Sequence, residues 1–254
     1  MKFPIYILAV FALLSCTRED PDPPVDNPSP AQLTLEFHHE FDGQMFGMQQ
    51  WYISDAGDSI KLSRLDYLLS NPFLIKANGD TVRAISKNAY AFVKGENGMG
   101  RWEFGEILTG DFIGIGFDLG LEDRINKSNP NQWAAGHPLN PVVNGLHWGW
   151  ADGYVFTALE GRFINSSGNE DLILVHVAFE KNRRAIYLNN SFKVEENSIV
   201  QIDYAVDGLF SSPNEYKPER DGGFSHSGDT DGGLSELVSE NIAASFSFNS
   251  IRPE

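Results

Sequence analysis

Alternation of apolar and polar residues is clearest at residues 33–42 of this chain. One side carries Leu33, Leu35, Phe37, His39 and Phe41, and the other carries Thr34, Glu36, His38, Glu40 and Asp42. A period of two residues is typical of a strand with one buried face. The pattern therefore predicts a half-buried strand that places the His39 imidazole on its apolar side.

Similar short runs recur along the chain, separated by turn-forming pairs such as Asn78-Gly79 and Asp207-Gly208. The predicted strands are Leu65–Ile75, Ala89–Val93, Asp111–Phe117, Gly153–Phe163, Asp171–Phe179, Ser198–Val206 and Ala243–Phe248. Helical periodicity is scarce, and Asp207–Leu209 and Leu234–Ala244 are the best candidates for short helical turns. This spacing predicts an all-β fold, an antiparallel β-sandwich with long loops and one or two short helical turns.

The first residues resemble a bacterial export signal. Lys2 precedes the apolar run Phe3–Leu14, which is shorter than the roughly 20 residues of a membrane-spanning helix. The run ends in Leu13-Leu14-Ser15-Cys16, which resembles the lipobox of bacterial lipoproteins. We expect residues 1–16 to be a lipoprotein signal that ends at the lipidated Cys16. The alternative is that Cys16 is incidental and an ordinary signal peptidase cleaves the chain.

Residues 17–31 are rich in Pro and Asp and almost free of apolar side chains. Such a segment buries too little apolar surface to offset the entropy lost on ordering, so we expect a disordered tether. Residues 32–254 show neither an internal repeat nor a linker, and they are predicted to form one domain.

The composition excludes several partners and sites. The chain has 19 Lys and Arg against 35 Asp and Glu, a formal net charge of −16. This balance argues against nucleic acid as a partner, because phosphate contacts need basic residues. A single cysteine excludes an internal disulfide and zinc sites built from several thiolates.

No motif identifies an enzyme, and we expect the protein not to be one. The sequence has no G-x-S-x-G elbow, no H-E-x-x-H zinc helix and no P-loop. In the acidic loop of residues 221–233, Asp229 and Asp231 are spaced as two calcium ligands would be. The rest of a calcium-binding loop is missing, so a solvated glycine loop is the favoured interpretation.

Two of the six histidines stand out. His39 lies on the apolar side of the first strand, and His176 lies within the apolar run Leu172–Phe179. A buried imidazole needs partners for its ring nitrogens, which a metal or core hydrogen bonds can supply. If both imidazoles project into one sandwich interior, they form a site without thiolate that suits copper or zinc.

Residues 137–162 are the most distinctive segment. They contain Pro138-Leu139-Asn140, Trp148-Gly149-Trp150, Gly153-Tyr154 and Leu159-Glu160-Gly161. This segment resembles the core signature of the MbnP-like family, named for a methanobactin-associated periplasmic copper-binding protein. Further segments fit that family: Phe37-x-His39-x-Phe41-x-Gly43, Leu65–Asn71, Ile113–Asp118, Asn241 and Phe246. His176 fits a later family histidine, although Val177-Ala178 stands where Leu-Gly is usual.

The resemblance implies a β-sandwich that binds copper through two histidines near a tryptophan oxidised to kynurenine. It makes His39 and His176 the candidate ligands and Trp148 the candidate for oxidation, with Trp150 as the alternative. It also implies a partner, a di-haem peroxidase-like enzyme that modifies the tryptophan. The other interpretation is that both tryptophans anchor the core, as large aromatic side chains usually do.

Together these observations predict a lipoprotein of the bacterial cell envelope that captures or handles copper. A lipid on Cys16 would anchor it to the outer membrane, on the periplasmic side or at the cell surface. The alternative is a surface lipoprotein whose β-sandwich binds a glycan or a protein partner without metal.

Overall fold

A computed structural model describes residues 28–149, 152–228 and 230–254 of the chain, without the side chain of Asn97. The expected signal of residues 1–16 with Cys16, the tether up to residue 27, Trp150 and Asp229 lie outside the described residues.

The described residues form fifteen strands. They are β1 (Pro30–Phe41), β2 (Gln44–Met45), β3 (Tyr52–Ile53), β4 (Ser59–Lys76), β5 (Thr81–Arg83), β6 (Tyr90–Lys94), β7 (Met99–Leu108), β8 (Gly110–Leu119), β9 (Val155–Ile164), β10 (Glu170–Ala178), β11 (Arg184–Leu188), β12 (Phe192–Val194), β13 (Ser198–Ala205), β14 (Phe224–Ser225) and β15 (Phe246–Pro253). The α-helices are α1 (Asp123–Asn126), α2 (Pro141–Asn144), α3 (Pro218–Asp221) and α4 (Leu234–Ala244). Short 3₁₀ helices span Ser86–Asn88, Gly95–Asn97, Pro130–Gln132, Glu180–Asn182 and Asp207–Phe210. Within the described ranges, no helix has both the length and the apolar character needed to cross a membrane.

The strands form two sheets that pack face to face. The smaller sheet has the order β15-β13-β1, with β2 and β7 also paired to β1. The larger has the order β11-β8-β4-β9-β10-β14, with β3, β5 and β6 paired to β4 and β12 to β8. Between the sheets, Phe37 of β1 meets Phe117 of β8 edge to face, with 5.8 Å between ring centroids. The all-β sandwich expected from the sequence is confirmed.

Strand direction differs from the strictly antiparallel expectation. β1 runs parallel to β13, pairing Leu33 with Ser198 through Glu40 with Ala205, and β10 runs parallel to β14. The sandwich is therefore mixed, because alternation shows which side chains are buried but not which way the neighbouring strand runs. β1 also starts at Pro30 and Ala31 is buried, so the folded domain begins slightly before Gln32.

Between β8 and β9, residues 120–149 and 152–154, here called the covering segment, cover the outer face of the larger sheet. Its apolar residues form a second buried cluster with that face: Leu68, Leu121, Ile125, Leu139, Leu146, Tyr154, Val155, Phe156 and Ala158. The Tyr154 hydroxyl donates to the Leu139 carbonyl at 2.6 Å, and the Tyr154 N–H donates to Asn126 Oδ1 at 2.7 Å. These buried bonds fix the end of the covering segment, just after Trp148.

His39 lies inside the sandwich and is fully buried. Its Nε2 lies 2.9 Å from the Tyr67 hydroxyl, and its ring meets Tyr204 edge to face at 5.4 Å. Its Nδ1 and the Tyr204 hydroxyl have no hydrogen-bond partner in the described part of the chain. Burial lowers the pKa of His39 from its usual 6.5 to about 4, against a smaller raising effect of the nearby Gly98 backbone. His39 is therefore a neutral core imidazole at neutral pH.

We expect Gly153→Ala to destabilise the fold more than Gly168→Ala. Both glycines have positive φ, +73° and +79°, so both alanines pay the cost of a left-handed backbone, about 1 kcal/mol. A Cβ at Gly153 would also lie 2.6 Å from Asn126 Oδ1, whereas at Gly168 nothing described lies within 4 Å. Urea unfolding of the two variants measures the difference, and equal losses would contradict the close packing of the covering segment.

Acid should weaken the fold through His39. Because the folded pKa lies below the unfolded one, the folded state binds fewer protons, and stability falls as pH drops from about 6.5 to about 4. The loss from this residue is about 3 kcal/mol at about 1.4 kcal/mol per pKa unit. Urea unfolding across this pH range should show a shallower loss for His39→Gln than for the parent. A loss as steep in His39→Gln as in the parent would contradict a buried neutral imidazole at this position.

Candidate metal site

His176 projects from the outer face of the larger sheet. In the strand register, Asp66 of β4 pairs with Ala158 of β9, which pairs with His176 of β10. Directly paired residues share a face, and Ala158 belongs to the outer cluster beneath the covering segment. Val175 and Val177, on either side of His176, belong to the inner core instead.

His39 and His176 therefore do not meet. His39 bonds to Tyr67, and Tyr67 pairs with Thr157, which pairs with Val177 on the inner face. The expectation that both imidazoles enter one sandwich interior is wrong, because His176 lies with Leu172 and Leu174 on the side of β10 that faces away from the other sheet. One metal ion cannot bridge two side chains on opposite faces of a sheet.

Trp148 is brought to His176 by the end of the covering segment. The Trp148 N–H donates to the Gly153 carbonyl at 3.0 Å, and the Gly153 N–H donates to the Gly149 carbonyl at 3.1 Å, which holds Trp148 against Gly153. A bridge between His147 and Tyr154, and the Val155 N–H bond to the Leu146 carbonyl at 2.8 Å, hold this segment beside the start of β9. The Trp148 ring consequently lies over the sheet, with its centroid 5.9 Å from that of His176.

His226 completes a cluster of three rings that sequence reasoning missed. It follows β14, whose Ser225 pairs in parallel with Val175, so His226 lies beside His176. The two imidazoles stack with centroids 5.1 Å apart and planes 10° apart, and Trp148 lies 5.3 Å from His226. The local sequence, an acidic glycine loop, indicated only a solvated turn. The contact between His226 and His176 depends on the parallel pairing of β14, a strand of two residues. A strand this short gives no periodic pattern in the sequence.

The two nitrogens of His176 have different surroundings. Nε2 lies 2.9 Å from Glu160 Oε1, and the same oxygen accepts from Arg64 Nη1 at 3.1 Å. Nδ1 is buried and has no hydrogen-bond partner among the described residues. With the proton on Nε2 and donated to Glu160, the lone pair of Nδ1 is available, which is the usual arrangement of a metal-binding histidine and its carboxylate.

The charge state of His176 suits a ligand. Burial lowers its pKa below the usual value, against the hydrogen bond and charge of Glu160, which raise it. The imidazole is therefore mainly neutral at neutral pH, as metal coordination requires. His226 is exposed, and with Trp148, Asp152, Phe179 and Gly228 it lines a shallow depression open to solvent. An ion can therefore reach His226 and Trp148 from solvent.

The site is small, and Asp152 is the acidic residue described in the depression beside it. Within residues 28–149, 152–228 and 230–254, no three His, Cys, Asp or Glu residues are grouped to hold a metal. The orphaned Nδ1 of His176 beside a second imidazole fits an ion of low coordination number bound by nitrogen. Asp231, considered above for calcium, instead accepts from Ser225, Gly233 and Ser235.

Comparisons with known proteins give the family. A family model described as MbnP matches residues 30–223. Among solved structures, MbnP from Methylosinus trichosporium matches with a TM-score of 0.52 and 15% identity, covering 89% of this chain and 98% of that one. At this identity the structural likeness shows a shared fold. A search of curated proteins found no significant match. Because the family model spans more than half of the chain, the protein belongs to the MbnP family.

Proposed function

We propose that this protein binds copper in the bacterial cell envelope, through His176 and His226 beside Trp148. The observation that carries the proposal is the His176 imidazole, whose Nε2 is held by Glu160 while its buried Nδ1 has no partner in the described chain. Membership of the MbnP family supports copper as the metal.

The donor set favours copper over the hard cations. Imidazole nitrogen suits copper and zinc, whereas calcium and magnesium need several oxygens that this cluster does not offer. Two nitrogen donors, with no third protein ligand among the described residues, suit Cu(I), which accepts low coordination numbers, better than zinc, which takes four ligands in structural sites. His39, in the core, takes no part in this proposal.

Trp148 is the residue we propose for oxidation. An intact indole has no lone pair in the ring plane to offer a metal, because its N–H is only a donor. A kynurenine at this position would present an amine nitrogen beside both imidazoles, and the modification would then raise affinity. The di-haem peroxidase-like partner remains part of this proposal. Trp150, the alternative from the sequence, lies outside the described residues.

The cellular setting follows from the N-terminal sequence. A lipid on Cys16 and the Pro-rich tether would hold the domain at the outer membrane, with the exposed His226 side free to meet copper. We propose a binding protein rather than an enzyme, acting in copper capture or transfer.

Removal of either imidazole should weaken copper binding. We expect His176→Ala and His226→Ala to lower Cu(I) affinity by more than the roughly 10–100-fold that loss of an outer partner costs. The measurement is competition with a Cu(I) chelator, using the full chain. His137→Ala is the matched control, because His137 stacks on Trp133 at 4.3 Å in another cluster. Parental affinity in both variants would contradict the assignment. Loss of affinity in His39→Ala alone would show that copper binds in the core, at His39.

Glu160→Gln should weaken copper binding without removing a ligand. The neutral amide no longer supports the His176 imidazole electrostatically, and it no longer pairs with Arg64. We expect an affinity loss of about 10–100-fold. Glu170→Gln, which removes only the partly exposed pairs with Lys61 and Arg162, is the control and should bind copper normally. Equal affinity for both variants would show that Glu160 does not support a ligand.

A further inference from the structure

The outer face of the smaller sheet carries a second group of metal-binding side chains, far from the tryptophan cluster in the fold. We propose that His38, Met45 and Met99, here called the methionine cluster, bind one Cu(I) ion. The proposal rests on strand register and thioether chemistry, and it does not depend on the site at His176.

Strand pairing brings the two methionines to the end of β1. Met99 is the direct partner of His38, and Met45 is the direct partner of Glu40. The backbone of His39 holds the residues next to both methionines in place. Its N–H donates to the carbonyl of Gly98, which precedes Met99, and its carbonyl accepts from the N–H of Phe46, which follows Met45, each at 2.8 Å. The two methionines therefore lie on the same side of β1, beside two of its successive outward positions.

The cluster shares one face of the sheet. His39 points into the core, so His38 and Glu40 point outward, and their direct partners share that face. Met45 is 74% exposed and Met99 is 45% exposed, which agrees with the outward direction. Positions two residues apart on a strand are about 7 Å apart, and paired Cβ atoms are about 5 Å apart. Flexible thioethers can close distances of this size on one ion.

The Met45 side chain lies close to Gly98. This glycine has φ +67°, and a Cβ added there would lie 3.1 Å from Met45 Cγ and 3.6 Å from Met45 Sδ. The Met45 sulfur therefore lies over the residue that immediately precedes Met99. A larger residue at this turn would push the Met45 side chain away.

His38 is oriented as a ligand. Its Nε2 lies 2.8 Å from Glu36 Oε1, and Glu36 is in turn held by Arg252 Nη2 at 3.2 Å. With the Nε2 proton donated to this carboxylate, Nδ1 carries the free lone pair. A carboxylate behind an imidazole fixes the tautomer and the ring orientation of a metal ligand.

An unpaired acidic oxygen adds to the site. Asp203 of β13 is the direct partner of His38 on the side away from Met99. Its Oδ2 accepts from Asn249 at 2.7 Å, whereas its buried Oδ1 has no partner in the ranges that the structure describes. A carboxylate oxygen without a donor beside the His38 imidazole favours a bound cation.

The donor set selects the metal. Thioethers are soft ligands that favour Cu(I), and calcium or magnesium gain nothing from them. Of the three methionines that the structure describes, Met48 packs against the core, whereas the other two are exposed at one place. Exposed methionine contributes little to folding, so two exposed methionines on strands paired beside an oriented histidine point to ligation.

The test is X-ray absorption at the copper edge on the full chain loaded anaerobically with Cu(I). A Cys16→Ser background removes the one thiol that would also bind Cu(I). We expect sulfur ligation in this parent, and loss of that signal with one fewer copper bound in Met45→Leu/Met99→Leu. Leucine is close to methionine in volume, and far-UV circular dichroism checks that the fold is retained. Met48→Leu is the matched control and should keep the sulfur signal.

A second pair of substitutions separates this site from the one at His176. His176→Ala/His226→Ala should lose nitrogen-only copper while keeping the sulfur-ligated ion. The proposal is overturned if the Cys16→Ser parent shows no sulfur ligand, if Met45→Leu/Met99→Leu keeps the full sulfur signal, or if His176→Ala/His226→Ala abolishes it.

Discussion

The pairing register of β4, β9 and β10 decides which histidines of this protein can act together. In that register, Tyr67, Thr157 and Val177 face the core, and Asp66, Ala158 and His176 face outward. His39, bonded to Tyr67, is thereby separated from His176 by the thickness of a sheet. A shift of one residue in this pairing would exchange the faces and bury His176 in the sandwich. The apolar inner face prevents that shift, since Val175 and Val177 are fully buried.

Everything at the candidate metal site is built on that outward face. The covering segment buries its own apolar residues there and brings Trp148 to His176, and β14 adds His226 from the other side. Glu160 and Arg64 lie on the same face, where each bonds to the other and Glu160 also bonds to His176. Partial burial keeps His176 neutral while its carboxylate keeps it oriented. The result is an imidazole prepared for a metal, with access from solvent through His226.

The sequence predicted most of the sandwich and part of the site. The alternation at residues 33–42 placed His39 correctly on the buried face, and the helix at Leu234–Ala244 has the predicted bounds. The Trp148-His176 neighbourhood was expected from the family resemblance. Three features lay beyond the pattern: the parallel direction of β13, the outward direction of His176, and the presence of His226. Each depends on pairing between distant segments. The hydrophobic run around His176 carries no sign that a loop, rather than the other sheet, covers one of its faces.

The central claim is that copper binds on the outer face, at His176 and His226, and not in the core at His39. Anomalous diffraction at the copper edge, from crystals of the copper-loaded protein, tests this most directly because it locates the ion without any substitution. The account predicts a peak within bonding distance of His176 Nδ1, in the plane of that imidazole, with His226 and Trp148 beside it. A copper peak beside His39 and Tyr204, with none at His176, would contradict it.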